Sequence, residues 1–169
     1  MWAIAIWDKK ERSLFCSRDR YGIKPFYYYI DNEKLIFASE IKQILARGAD
    51  KSVNDEIIYD YLVFNFIDHT DSTFFKNITK LQAGHKFTVK DNKFKVSRWY
   101  NLPEENTMTD TKNLYPDFYD LLYDSVRLRL RSDVEVGSCL SGGLDSSAIV
   151  CIMHDILHNE GKPEIQKTY

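Results

Sequence analysis

The sequence predicts a two-part molecule: an α+β first part built on antiparallel hairpins, then the opening elements of an α/β domain with a parallel sheet. Three observations carry this reading. Residues 1–100 alternate aromatic and β-branched runs with short polar turns, the pattern of successive hairpins. Residues 101–113, NLPEENTMTDTKN, are polar, lack periodicity and contain Pro103, which suits an interdomain linker. Beyond them the pattern turns to helix, strand, glycine-rich loop, helix and strand, the alternation of an α/β domain.

Taken in order, AIAIW (3–7), LFCS (14–17), FYYYI (26–30) and KLIFAS (34–39) read as strands separated by polar turns. Ser39 is placed to cap a short helix, EIKQILAR, that Gly48 ends. A second helix is expected from Asn54 through DEIIYDYLVFNF, and HKFTVK, DN and KFKVSRWY make a further hairpin over 85–100. After the linker, LYPDFYDLLYDSVRLRLR sets Phe118, Leu121, Leu122 and Val126 at helical spacing. DVEVGSCL reads as a strand, and DSSAIVCIMHDILH as a helix with Ala148, Ile149, Ile152 and Ile156 on its apolar face. EIQKTY (164–169) reads as the start of another strand. A parallel sheet needs several covered strands, and residues 114–169 supply two at most. The reading therefore expects domains cut at both ends of the chain.

Bulk properties bound the function. A composition 44% hydrophobic and 28% charged is that of a globular chain. The net charge of −2 offers no general attraction to nucleic acid or an anionic membrane. Three cysteines, Cys16, Cys139 and Cys151, form no C-x-x-C pair. Two sit in apolar runs, so buried free thiols in a reducing compartment are expected. No stretch reaches membrane-spanning length and no secretory signal is present. The expected location is cytoplasmic.

The chemistry is concentrated in CLSGGLDSSAIV (139–150). The alternation sets this loop at the C-terminal end of a strand, where α/β sheets bind ligands. Gly142 and Gly143 can take backbone angles closed to other residues. Their N–H groups, with those opening the next helix, form an anion nest aided by the helix dipole. Ser141, Ser146 and Ser147 add hydroxyls, and phosphate is the natural occupant. No lysine follows, so this is not a Walker loop. Asp145 would repel a bare phosphate; a magnesium-bridged polyphosphate removes the conflict. The plainer alternative makes Asp145 a helix N-cap and Ser-Gly-Gly an ordinary turn.

SGGLDSS after an apolar strand resembles the pyrophosphate loop of the ATP pyrophosphatases. LRLRSDVEVGSCL, SRDRYGIKPFYYY, FASEIKQIL and FFKNITKLQAGHKFTV resemble, in family order, the glutamine-dependent asparagine synthetases. The resemblance implies that 1–100 is the back half of an N-terminal-nucleophile αββα glutaminase sandwich, 101–113 a linker, and 114–169 the start of the synthetase domain. It implies an enzyme using ATP and Mg²⁺, a ligase forming a carbon–nitrogen bond from aspartate and glutamine through an acyl-adenylate. Leu140, Ser141, Gly142, Gly143, Asp145, Ser146 and Ser147 would hold ATP pyrophosphate, with Asp145 reaching Mg²⁺ through it and Leu140 against the nucleotide. The family's glutaminase nucleophile is an N-terminal cysteine, whereas this chain begins Met1-Trp2-Ala3, and Cys16 does not inherit that role. The chain alone is expected to be inactive. Partners are small molecules, with no nucleic acid or membrane, and a homodimer is open.

Relatives that close β-lactam rings, cyclise peptides or modify sugars leave the acceptor open, and a non-catalytic anion-binding remnant is the third reading. His154 and His158 lie four apart but lack a third ligand and read as solvated surface. In RDRYGIKPFYYY, Arg18, Asp19 and Arg20 are expected to form local ion pairs, with Pro25 setting the turn. Asp68, His69 and Asp71 read as a polar loop.

Overall fold

The computed structural model describes residues 1–102, 113–161 and 167–168. The chain divides into two compact units, Met1–Glu104 and Glu105–Tyr169.

The first unit is mixed α+β with two antiparallel sheets. Strands β1 (Ala3–Asp8), β2 (Ser13–Arg18), β6 (His85–Lys90) and β7 (Lys93–Arg98) form one, in the order β1-β2-β6-β7. Strands β3 (Tyr27–Ile30), β4 (Leu35–Ala38) and β5 (Ile78–Lys80) form the other, in the order β4-β3-β5. All three expected hairpins form. Asp91 and Asn92 take positive φ, 49° and 58°, as a tight two-residue hairpin requires. Asp8 and Asp31 close the other two turns by accepting N–H bonds two and three residues on.

Alternation along Tyr27-Tyr28-Tyr29 explains how the sheets stack. The Tyr28 ring points to the first sheet, 5.5 Å from both Phe87 and Phe94. That interface holds Cys16, Phe26, Leu81 and Phe87. Tyr27 and Tyr29 point the other way, onto Ile44, Ile78 and Ala49, where helix α1 (Ile41–Ala46) covers the sheet. Sheet, sheet and helix are thus three layers around two apolar interfaces. Strand β5 was not expected. It is three residues long and pairs with β3 far away in sequence, Tyr27 opposite Lys80 and Tyr29 opposite Ile78.

Helix ends depart from the expectation by a residue or two. Glu40, not Ser39, is the N-cap of α1, and its N–H donates to Gln43 Oε1 at 3.2 Å. Gly48 follows at φ +79°, which ends the helix. Helix α2 (Asp55–Phe64) starts after Asn54 as expected but stops short of Phe66, because Asn65 turns left-handed at φ 57°.

The second unit contains helix α3 (Leu114–Arg129), β8 (Gly137–Ser138), helix α4 (Leu144–Asn159) and β9 (Lys167–Thr168). β8 pairs with β9 in parallel, the orientation that the alternation predicts. The strand expected over 133–140 shortens to two residues. Residues 164–166 and 169 of the strand expected at 164–169, and 103–112 of the expected linker, lie outside the described residues.

α3 and α4 bury Val126, Ile152, Met153, Ile156 and Leu157, flanked by Leu122, Tyr123, Leu130 and Val136. This corrects two expected stripes. Phe118 is 64% exposed and Leu121 74%. Leu121 lies about 100° around the helix from Leu122, and the contact with α4 uses the C-terminal half of α3. On α4 the buried face takes Met153 and Leu157 in place of Ala148 and Ile149. Of the cysteines expected to be buried, Cys16 is, whereas Cys139 before the glycine loop and Cys151 on the outer face of α4 are exposed.

Candidate functional site

β8 ends at Ser138, and Cys139 and Leu140 lead into the glycine loop. Gly142 sits at φ +78° with open space where a Cβ would be. A side chain there meets backbone strain rather than a clash. Gly143, at φ −77° and ψ 162°, is the N-cap of α4. Leu144 opens the helix, and Asp145 follows in its first turn. The Ser147 N–H closes the first helical bond onto the Gly143 carbonyl at 3.1 Å. Asp145 is therefore not the cap of the plainer reading.

Among the described residues, no hydrogen bond leaves the N–H groups of residues 142–146. These are the orphan donors of a helix start, and the loop from Leu140 to Asp145 is exposed. Ser141 Oγ and Ser146 Oγ lie 3.1 Å apart, and Ser146 Oγ donates to the Gly143 carbonyl at 3.1 Å. The two hydroxyls are thereby held on the same side of the bend. Ser146 and Ser147 are half-buried; Leu140 is 45% exposed and Leu144 87%. The loop brings Ser141, Gly142, Gly143, Asp145 and Ser146 together at one helix end. Ser147 joins them through its backbone N–H. Chemically this is a set of unpaired amides with two linked hydroxyls, at the positive end of a 16-residue helix, with one carboxylate beside them. Among the described residues no three His, Cys, Asp or Glu groups assemble a metal site. A divalent ion at Asp145 would thus need phosphate oxygens for much of its coordination, which magnesium accepts.

His154 and His158 are exposed, with ring centroids 5.9 Å apart, as the surface reading expects. Asp68 pairs with Lys80 at 2.5 Å, and His69 Nε2 meets Asp60 Oδ2 at 2.8 Å. Asp71 enters through its carbonyl, which accepts the Lys80 N–H at 2.8 Å. Asp68, His69 and Lys80 border a cleft of about 370 Å³ together with Arg18, but each of these groups already has a partner.

The expected ion pairs of Arg18, Asp19 and Arg20 do not form. Arg18 instead donates to three carbonyls, Lys24 at 2.7 Å, Leu81 at 2.7 Å and Gly22 at 2.6 Å. Asp19 Oδ1 accepts the N–H groups of Tyr21 and Ile23, and Oδ2 those of Trp2 and Lys24. Burial alone would raise the Asp19 carboxyl; those four N–H groups outweigh it and hold its pKa down at about 2. The sequence could have signalled this role only through two charged residues next to the turn formers Gly22 and Pro25. Its partners at Leu81 and Trp2 are distant.

Comparison with known proteins places both units. A family model described as a glutamine amidotransferase domain matches residues 1–100. One described as asparagine synthase matches residues 117–166. Through residues 1–100 the chain belongs to the glutamine amidotransferase domain family. It is 42% identical over 160 residues to a putative glutamine-hydrolysing asparagine synthetase 2 of Methanocaldococcus jannaschii, covering 92% of this chain and 31% of that protein. To asparagine synthetase 1 of Bacillus subtilis it is 36% identical over 153 residues, covering 90% of this chain and 24% of that one. The amidase chry2 of Gibberella zeae is 29% identical over 165 residues, 92% of this chain and 23% of the amidase. The chain thus spans less than a third of the curated synthetase relatives it matches. No helix among the described residues is long and apolar enough to cross a membrane.

Proposed function

We propose that the chain is part of a cytoplasmic, glutamine-dependent amidotransferase that makes asparagine from aspartate, with residues 140–147 seating the pyrophosphate end of ATP. The observation that carries this is the exposed helix start whose N–H groups from 142 to 146 are unpaired beside Ser141, Ser146 and Asp145. The two sheets of the first unit are read as part of an N-terminal-nucleophile glutaminase sandwich, on the family match to residues 1–100.

In this reading, the aspartate side-chain carboxylate attacks the α-phosphorus of ATP, giving an aspartyl-adenylate and releasing pyrophosphate. Ammonia from glutamine then displaces AMP. The task of the loop is to hold the leaving diphosphate while negative charge builds on it. The Gly142–Ser146 amides meet that charge with no reorganisation, and the Ser141 and Ser146 hydroxyls become donors to it by turning away from each other and from the Gly143 carbonyl. Asp145 is the residue that would hold Mg²⁺, which would supply charge neutralisation there.

Magnitudes limit what this chain achieves alone. Charged hydrogen bonds net about 1.5–3 kcal/mol each; two or three, less the cost of ordering the loop, correspond to roughly millimolar affinity. Calorimetry of this chain with MgATP should give no better than a millimolar constant, and no turnover. A micromolar constant would contradict the estimate. In the intact enzyme, Ser141→Ala and Asp145→Ala should abolish ATP-dependent synthesis and spare glutamine hydrolysis. Normal synthesis by either variant refutes the assignment. The relative named an amidase at 29% identity supports a second reading, in which the same loop serves a different carboxylate. Product analysis with alternative acceptors separates the two.

A further inference from the structure

The residues just past β7 are held by an aromatic cluster separate from the glycine loop, two of whose members, Trp2 and Tyr21, also donate backbone N–H groups to the Asp19 carboxylate. Trp99 and Tyr100 follow β7 directly, beyond the final ladder pair, His85 with Arg98. Their N–H groups share one acceptor, the Gly84 carbonyl, at 2.8 and 3.2 Å. Gly84 sits at φ +65°, and a Cβ there would come within 3.1 Å of the Tyr100 carbonyl oxygen. The backbones therefore approach as closely as glycine allows. Around this pair the aromatic rings gather. Trp2 stacks on Trp99 at 5.4 Å and 19°, and Tyr21 meets Tyr100 edge-on at 6.1 Å. The Trp99 Nε1–H donates to the Arg18 carbonyl at 3.3 Å.

Arg20 closes the cluster. Its guanidinium carbon lies 5.7 Å from the Trp99 ring centre and 5.4 Å from that of Tyr100. Among the described residues no carboxylate pairs with it, so nothing draws the cation off the two π faces. A guanidinium over tryptophan and tyrosine is attracted by their ring quadrupoles, and one cation over two consecutive rings fastens both. Arg18 and Asp19 are locked by backbone bonds, which leaves Arg20, the next residue, on a rigid base.

We infer that Arg20 is a positioning residue: it clasps Trp99 and Tyr100 and so fixes the path of the chain directly after β7. The clasp is local. Two hydrogen bonds to a single shared carbonyl would fray at the end of a strand, and the cation over the rings holds them closed. This does not depend on the chemistry proposed for residues 140–147.

Amide hydrogen exchange on the full chain tests it. Arg20→Met keeps the apolar stem and removes the charge; exchange at the Trp99 and Tyr100 amides should speed up by roughly three- to tenfold, with Cys16 and Phe87 unchanged. Arg20→Lys should restore protection to within about twofold, because the cation returns. Gly84→Ala, which presses on Tyr100 while leaving Arg20 intact, should release the same two amides. Unchanged exchange in Arg20→Met overturns the inference, and so does equal acceleration by methionine and lysine. Uniform acceleration across the sheet in Arg20→Met overturns it too, since Arg20 would then be a general stabiliser. If Arg20→Met does not fold, Arg20→Gln decides: release confined to residues 99 and 100 upholds the clasp, and any other pattern rejects it.

Discussion

Replacing Asp19 with asparagine should cost the first unit most of its spare stability. The carboxylate accepts four N–H bonds, from Tyr21 at 3.2 Å, Ile23 at 3.0 Å, Trp2 at 3.1 Å and Lys24 at 3.0 Å. An asparagine oxygen can serve one pair; its NH₂ group then faces the other pair, donor against donor. Two N–H groups around a side chain that is only 4% exposed lose their acceptor, at about 1–3 kcal/mol each. A second route gives a similar figure. The carboxyl is held at about 2 against an ordinary value of about 3.9, and about 1.36 kcal/mol per pH unit gives about 2.6 kcal/mol. For a unit of this size the melting point should fall by about 10–20 °C. All three tryptophans, Trp2, Trp7 and Trp99, lie in the first unit, so their emission reports that unit alone.

The sign of the pH dependence follows from the same shift. The folded pKa lies below the unfolded one, so the contribution is complete above about pH 4 and disappears as pH falls toward 2. The wild-type chain should lose about 2–3 kcal/mol more than the asparagine variant across that window. Asp31 and Asp50 are also lowered, chiefly by backbone bonds from Glu33 and Lys34 and by side-chain and backbone bonds from Ser52. The variant therefore keeps some acid slope. A melting point within about 3 °C of wild type at pH 7, less than about 1 kcal/mol, would refute the role given to the Asp19 carboxylate, as would identical acid slopes.

Two further outcomes are expected. Burial pushes the Cys16 thiol up to about 12, and Cys139 and Cys151 are exposed. A disulfide reagent at pH 8 should therefore count two thiols in the native chain and three after denaturation; three in the native chain rules out the buried assignment. In the second unit, Phe118→Ser should shift helix stability by less than about 0.5 kcal/mol. Ile156→Ala should cost about 2–4 kcal/mol, both read from the helical signal in urea. The opposite ranking would restore the stripe that the spacing alone suggests.

Hairpins were legible because their information is local. Short turns such as Asp91-Asn92 join strands that are neighbours in sequence, and the alternation of Tyr27, Tyr28 and Tyr29 is written in consecutive letters. The glycine loop was legible for the same reason: Gly142, Gly143, Asp145 and the serines act within one bend. Strand β5 was not, because three residues carry no periodicity and its partner lies some fifty positions earlier. Nor could spacing show which side of α4 faces α3. Ile149 and Met153 both fit an apolar stripe, and only the packing against Val126 selects Met153 and exposes Cys151.

Sequence by itself determined most of the element types, the change of pattern between the two units and the family resemblance. Tertiary structure decided which strands share a sheet, which face of each helix is buried, and what the charges at 18–20 are for. Arg18, Asp19 and Arg20 read as ion pairs because opposite charges adjoin in the chain. In the fold, carbonyls, amides and aromatic rings from residues 2, 81 and 99–100 arrive first. Local periodicity is a property of neighbouring residues, whereas the partner of a buried charge is set by whatever distant backbone the fold brings within about 3 Å.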